Sequence, residues 1–206
     1  MTLEENKDRL LLIFTRNPKL GKCKTRLAAT IGDQAALDIY MILIRHTAEI
    51  TKDLSCSKEV YYSEEVPEND LWDKDNYAKQ LQKGNDLGER MYNAFKSGFQ
   101  KGYKKIILIG SDIYDLNSET IEEAFVEIEN ADFVIGPAAD GGYYLVGMKT
   151  LNNEIFQNKN WGTETVLEDT LNNLNHKKVK LLEIKNDIDV YEDLEDIDVF
   201  QSFIKI

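Results

Sequence analysis

The feature that most constrains the fold is a pair of short, unbroken apolar runs, Leu10-Leu11-Leu12-Ile13-Phe14 and Ile106-Ile107-Leu108-Ile109. A strand that is apolar at every position has to be covered on both faces, the pattern of a parallel sheet packed between helices. Between such runs the period changes. Ala36, Tyr40, Leu43, Thr47, Ile50 and Leu54 recur at spacings of three and four, which predicts an amphipathic helix over 34–54. Asp86, Leu87, Gly88 and Glu89 have the spacing of a capping box and open a helix running to about residue 101. Ile121, Ala124, Phe125 and Ile128 give a helix beginning at Ser118.

Weaker strands are expected at 59–63, 133–135, 143–146 and 179–184, and residues 64–76 read as a loop. Thr163 is placed as the cap of a helix carrying Val166, Leu167, Thr170, Leu171 and Leu174, and a last helix is expected over 190–204. Strands alternating with helices define an α/β protein, a three-layer αβα sandwich around a mostly parallel, mixed sheet. At 206 residues the chain suits a single domain over 1–206 with a substantial core. In such sheets ligands gather at the carboxyl ends of the strands, so the loops after strands carry the functional weight.

Charge separates those loops. The chain has 25 Lys+Arg against 37 Asp+Glu, a formal net charge of −12, which excludes nucleic acid as the expected partner. No acidic residue stands between Asp8 and Asp33, yet Arg16, Lys19, Lys22, Lys24 and Arg26 do. Cations, Gly21 and the hydroxyls of Thr15 and Thr25 suit a diphosphate, which needs neutralisation and many donors. This loop is not a Walker A motif, because Lys22 is followed by Cys23 and the earlier glycine is absent.

At the opposite end, Asp187, Asp189, Glu192, Asp193, Glu195, Asp196 and Asp198 form an acidic block, whose later members suit a solvated helix face. The two cysteines, Cys23 and Cys56, lack metal spacing and are not expected to pair. No apolar run approaches the roughly 20 residues of a membrane span. Residues 1–6 lack the positive start of a secretory signal, so a cytoplasmic protein without transmembrane segments is expected.

Three further segments carry candidate chemistry. Asp112 stands at the tip of a buried strand, where a carboxylate can hold Mg²⁺ or Mn²⁺ against phosphate oxygens. Gly141 and Gly142 let backbone approach a sugar or base closely, with Asp140 able to accept hydroxyl hydrogen bonds; a plain hairpin turn explains the same residues equally well. Asp187-Ile188-Asp189 offers a second carboxylate for a metal or an acceptor.

Taken in order, these segments resemble a bacterial family of GT-A-like glycosyltransferases that includes proteins assigned to arsenosugar biosynthesis. The matching pieces are Phe14-Thr15-Arg16-Asn17-Pro18 with residues 21–27, then 84–91, Gly110-Ser111-Asp112, residues 136–145, Trp161-Gly162-Thr163 and Asp187-Ile188-Asp189. The resemblance implies a nucleotide-diphospho-sugar transferase fold, a nucleoside-diphosphate-sugar donor, a divalent cation and a small-molecule or lipid-like acceptor.

By position, Arg16, Lys22, Lys24, Thr25 and Arg26 would face the nucleotide and Asp112 the metal. Asp140, Gly141 and Gly142 would border the donor sugar, with Asp140 or Asp189 as the catalytic carboxylate. Two departures stand out: Tyr114 replaces the family's frequent Pro, and Gly162 replaces Ser in its Trp-Ser-Thr pattern. Two alternatives share these residues. One is a nucleotidyltransferase similar to the phospholactate guanylyltransferases, releasing pyrophosphate; the other is an inactive nucleotide-binding protein.

Overall fold

The computed structural model describes residues 8–195 and 197–204. The reading of residues 1–6, and Asp196 of the acidic block, lie outside the described residues. The chain forms a seven-stranded sheet in the order β3-β2-β1-β4-β6-β5-β7. Its strands are β1 (Arg9–Thr15), β2 (Ser57–Tyr62), β3 (Ala78–Leu81), β4 (Lys105–Gly110), β5 (Phe133–Pro137), β6 (Tyr143–Met148) and β7 (Val179–Leu181). Pairing is parallel except where β6 runs against β4 and β5, so the sheet is mixed and mostly parallel as expected.

The apolar runs occupy the centre. Every residue of β1 is buried, and its side chains alternate between two cores. Leu11 and Ile13 join Ile107 and Ile109 on one face, while Leu10 and Leu12 join Ile106 and Leu108 on the other. The first face is covered by α1 (Thr25–Ile31), α2 (Asp33–Thr51) and α4 (Ser118–Glu127), and the second by α3 (Leu87–Gln100) and α5 (Val166–Asn173). With each fully buried large aliphatic side chain contributing about 1.5–3 kcal/mol, these central strands hold much of the stabilising burial.

The helix signals correspond to local chemistry. Asp86 caps α3 by accepting the Glu89 amide at 2.8 Å, and Asn117 caps α4 by accepting the Thr120 amide at 2.8 Å. Three expectations need correction, and one strand, β3, was not anticipated. Residues 24–27 are not all loop, since α1 starts at Thr25 immediately after Lys24. The short edge strand β3, with sequence Ala-Lys-Gln-Leu, carries no apolar pattern that would reveal it.

Thr163 does not cap α5, because its hydroxyl donates to the Asn160 carbonyl at 2.8 Å and the cap position falls to Thr165. The segment expected as a helix over 190–204 instead forms two 3₁₀ stretches, Tyr191–Leu194 and Asp198–Phe203. Its apolar residues Leu194, Ile197, Phe200 and Phe203 recur every third position, which matches three residues per turn rather than 3.6.

β1 sits between β2 and β4, with Phe14 paired to Gly110. The loops leaving β1 and β4 therefore part company at the same sheet edge, the switch point at which open α/β sheets bind ligands.

Candidate functional site

The basic loop leaves β1 and is fastened before it reaches solvent. The Tyr40 hydroxyl, brought by α2, accepts the Arg16 amide at 2.8 Å and lies 3.1 Å from the Thr15 hydroxyl and 3.4 Å from that of Ser111. Ser111 is thus a buried strut between the ends of β1 and β4, which removes it as a nucleophile. Asn17 fixes the next turn. Its side chain donates to the Glu65 carbonyl at 2.7 Å and accepts the Glu64 amide at 2.9 Å. The buried Cys23 thiol lies 3.3 Å from the Asn17 carbonyl, and both cysteines are free.

Lys24 adopts a left-handed conformation, with φ 48° and ψ 50°, at the position just before α1. Its ammonium donates to Asp112 at 2.9 Å and lies 3.7 Å from Asp189, with the side chain only 6% exposed. Burial opposes the charge on Lys24, but the charge and hydrogen bond of Asp112, with the charges of Asp189 and Asp187, together outweigh it and raise the ammonium's pKa. On Asp112, burial also favours the neutral acid. The charge and hydrogen bond of Lys24, with the charge of Arg16, overcome it and hold the carboxyl below its usual range. Arg26 pairs with Asp189. Lys19 is held by Glu64 and Glu65 at 3.0 and 2.9 Å.

The five cations are therefore not equivalent. Among the described residues, the side chains of Arg16 and Lys22 make no ion pair, and both line a cleft of about 670 Å³ with Lys24, Thr25 and Arg26. Arg90 joins them from α3, its Nε donating to the Gly84 carbonyl at 3.2 Å. The sequence reading passed over Arg90 as a ligand, although it lies in the quoted 84–91 segment.

The cleft continues into a second lobe of about 230 Å³, sharing Phe14, Leu87, Gly110 and Asp112 with the first. Here the β5–β6 turn supplies Asp140, whose carboxylate accepts the Gly142 amide at 2.8 Å. Gly141 has φ +87°, and a Cβ there would meet the Glu164 carbonyl oxygen at 2.2 Å, so this glycine is required by close packing under the α5 approach. Trp161 and Tyr143 meet edge to face at 6.4 Å, and among the described residues the buried Tyr143 hydroxyl has no hydrogen-bond partner.

Asp187 lines this lobe, whereas Asp189, the residue favoured from sequence, faces Lys24 and Arg26. Burial, then the charges of Asp112 and Asp140, push Asp187 up to about 6. Three carboxylates thus face one lobe, while Asp115, the other acid of the Asp112 loop, lies 3.9 Å from Lys185. Among the described residues, no three His, Cys, Asp or Glu side chains gather closely enough to hold a metal by themselves. Asp112 and Asp187 nevertheless suit Mg²⁺, which is commonly held by one or two carboxylates and substrate phosphates.

The mixed sheet and switch-point cleft place the protein in the class of nucleotide-diphospho-sugar transferase and cytidylyltransferase folds. Residues 46–163, more than half of the chain, match the family described as "Uncharacterized protein conserved in bacteria (DUF2064)", and the chain belongs to that family. The crystal structure of a "putative nucleotide-diphospho-sugar transferase" from Desulfovibrio desulfuricans G20 is similar, with 28% identity and TM-score 0.83 over 95% of this chain and 91% of that one.

CMP:2-keto-3-deoxy-manno-octonic acid synthetase complexed with CTP shares the fold at 9% identity and TM-score 0.56, over 95% of this chain and 99% of that one. The inositol-1-phosphate CTP transferase of T. maritima does so at 14% identity and TM-score 0.54, over 96% and 95% respectively. No curated protein matches the chain. No helix among the described residues is long and apolar enough to cross a membrane.

Proposed function

We propose that this protein is a nucleotide-sugar-dependent glycosyltransferase, moving a sugar from a nucleoside-diphosphate donor to a small-molecule or lipid-like acceptor with the help of Mg²⁺ or Mn²⁺. The observation that carries the reading is the meeting of the Arg16, Lys22 and Lys24 loop with Asp112 and Asp187 at the β1/β4 switch point. Likeness to the D. desulfuricans protein supports it.

Arg16, Lys22 and Arg90 would meet the diphosphate, and Lys24 would hold Asp112 ionised and in place. Asp112 and Asp187 would hold the cation, which supplies positive charge to the diphosphate leaving group. The bond from the sugar's anomeric carbon to the diphosphate oxygen breaks, a bond to the acceptor oxygen forms, and the acceptor's proton passes to a carboxylate. Asp140 suits that last role better than Asp189, which is engaged by two cations. Gly141 and Gly142 border the transferred sugar.

The nucleotidyltransferase reading draws on the CTP-dependent proteins that share the fold. Products separate the two. The purified protein with Mn²⁺ and a panel of nucleotide sugars is expected to release nucleoside diphosphate. Pyrophosphate from a nucleoside triphosphate, with no diphosphate from any nucleotide sugar, reverses the assignment. An absence of thermal shift beyond that of Mn²⁺ alone, with every nucleotide and nucleotide sugar, removes both.

A further inference from the structure

The two lobes of the cleft differ in charge more sharply than the fold requires. The larger lobe is lined by Arg16, Lys22, Lys24, Arg26 and Arg90 together with Glu64, Asp112 and Asp189; among the described residues Arg16, Lys22 and Arg90 make no ion pair, so the lobe keeps free cations. No Lys, Arg or His lines the smaller one, whose polar edge is Asp112, Asp140 and Asp187 and whose walls are Phe14, Leu87, Met91, Tyr143, Trp161 and Val166. An anion entering it would find apolar surface and the carboxylates of Asp140 and Asp187, while the nearby Lys24 is already engaged by Asp112. Even with a cation on Asp112 and Asp187, that cation's charge is shared with the diphosphate, and Asp140 stays uncompensated.

We infer that the smaller lobe is a subsite for an uncharged, sugar-like ring, with one face against Trp161 and its hydroxyls toward Asp140, and that it rejects anionic sugars. This rests on the nucleotide-sugar reading for what the ring is attached to, but the subsite is defined by its own walls. An aromatic wall offers flat apolar area to the carbon face of a sugar, while a few polar groups fix its orientation. Gly88 is part of the same construction. A Cβ at Gly88 would lie 2.8 Å from Trp161 Cζ2 and 2.2 Å from the Phe156 carbonyl oxygen, so the start of α3 and the Trp161 wall are in direct contact.

The test needs no nucleotide. The chain has two tryptophans, Trp161 in the lobe and Trp72 buried in the opposite core, so incorporation of 5-fluorotryptophan gives two fluorine resonances, assigned with Trp161→Phe. Phenyl hexoside and its carboxylate analogue, phenyl hexuronide, are titrated at pH 8, above the value of about 6 to which Asp187 is pushed. The hexoside is expected to shift the Trp161 resonance and leave that of Trp72 in place, with the hexuronide binding about tenfold more weakly or worse. Asp140→Asn should narrow that gap. By ligand-observed NMR, Trp161→Ala should lose hexoside binding while Trp161→Phe keeps most of it.

Hexuronide binding as tight as hexoside binding, or no Trp161 shift with hexoside at any soluble concentration, overturns the inference. Nucleoside diphosphates titrated separately decide the proposed function. If they fail to bind while the hexoside result holds, the nucleotide-sugar reading falls and the ring subsite stands.

Discussion

Lys24 shows how one side chain divides a motif read from sequence into two tasks. The acid-free stretch forms the loop after β1, and Asp112 follows β4 and faces it through Lys24. Sequence spacing held no sign that Lys24 would be engaged by Asp112 and Arg26 by Asp189, because both pairings depend on carboxylates far along the chain. Asp189 and Asp187 were equally visible in the motif, and only the fold decides that Asp189 lines the basic lobe and Asp187 the smaller one. Two outcomes follow at this scale. Asp187 has its folded pKa raised to about 6 by burial and by Asp112 and Asp140, so its ionisation costs stability. That cost is absent below the unfolded value near 4 and complete above about 6. Asp187→Asn should therefore stabilise the metal-free protein by about 1–3 kcal/mol at pH 8 and by nothing at pH 3.5, measured by urea unfolding at both pH values. A gain equal at both would show that the charge is not its source. Asp112→Asn removes the nearer partner of a buried ammonium, and we expect Mn²⁺-dependent nucleotide binding to vanish in calorimetry. Retained Mn²⁺ dependence would sink the assignment of Asp112.

Among the elements, the legible ones were those whose own side chains settle their state. β1 and β4 announced themselves by continuous apolarity, and α2, α3 and α4 by their stripes and caps. β3 escaped notice because an edge strand of Ala-Lys-Gln-Leu is specified by its neighbour, whose Tyr62 pairs with Leu81, rather than by its own pattern. The C-terminal segment was misread because acidic composition and apolar spacing both suit a helix loosely, and the three-residue repeat was the finer signal. Glycines tie these elements to the site. Gly141→Ala would place a methyl 2.2 Å from the Glu164 carbonyl at a φ of +87°, so the β5–β6 turn and the approach to α5 would have to separate. A loss of about 2–4 kcal/mol is expected in thermal or urea unfolding, combining backbone strain with overpacking. Gly142→Ala is the control. Its Cβ would meet the Asp140 carboxylate at 3.1 Å, the movable end of a side chain, and should cost far less. Similar losses for the two variants would show that the close approach to Glu164 is not what the turn depends on.

For the molecule as a whole, an acidic body carries one basic recess at the sheet edge, and attraction over distance should be weak while attraction in the recess is strong. Arg16→Ala and Lys22→Ala are expected to weaken nucleoside-diphosphate binding, with the loss shrinking as ionic strength rises from about 0.01 to 1 M, because screening acts on solvent-exposed charge. Lys24→Ala, acting from a buried position, should show a loss that salt changes little. The reverse ranking in a calorimetric salt series would place the ligand-facing charge on Lys24. The fold class and the neighbourhood of the cleft were readable before any coordinates, since buried strands alternating with helices leave few arrangements and their ligand edge is set by topology. What was not readable was the division of the cleft into unlike lobes, which arises from residues as far apart in the chain as Phe14 and Asp187 meeting at one edge. Asn17 has a consequence for anyone exchanging parts between relatives. Because its amide group is bonded to the backbone of Glu64 and Glu65, the loop after β1 and the loop after β2 form one module. A graft of residues 15–27 alone would arrive without its anchor, so the transplantable cassette is the two segments together.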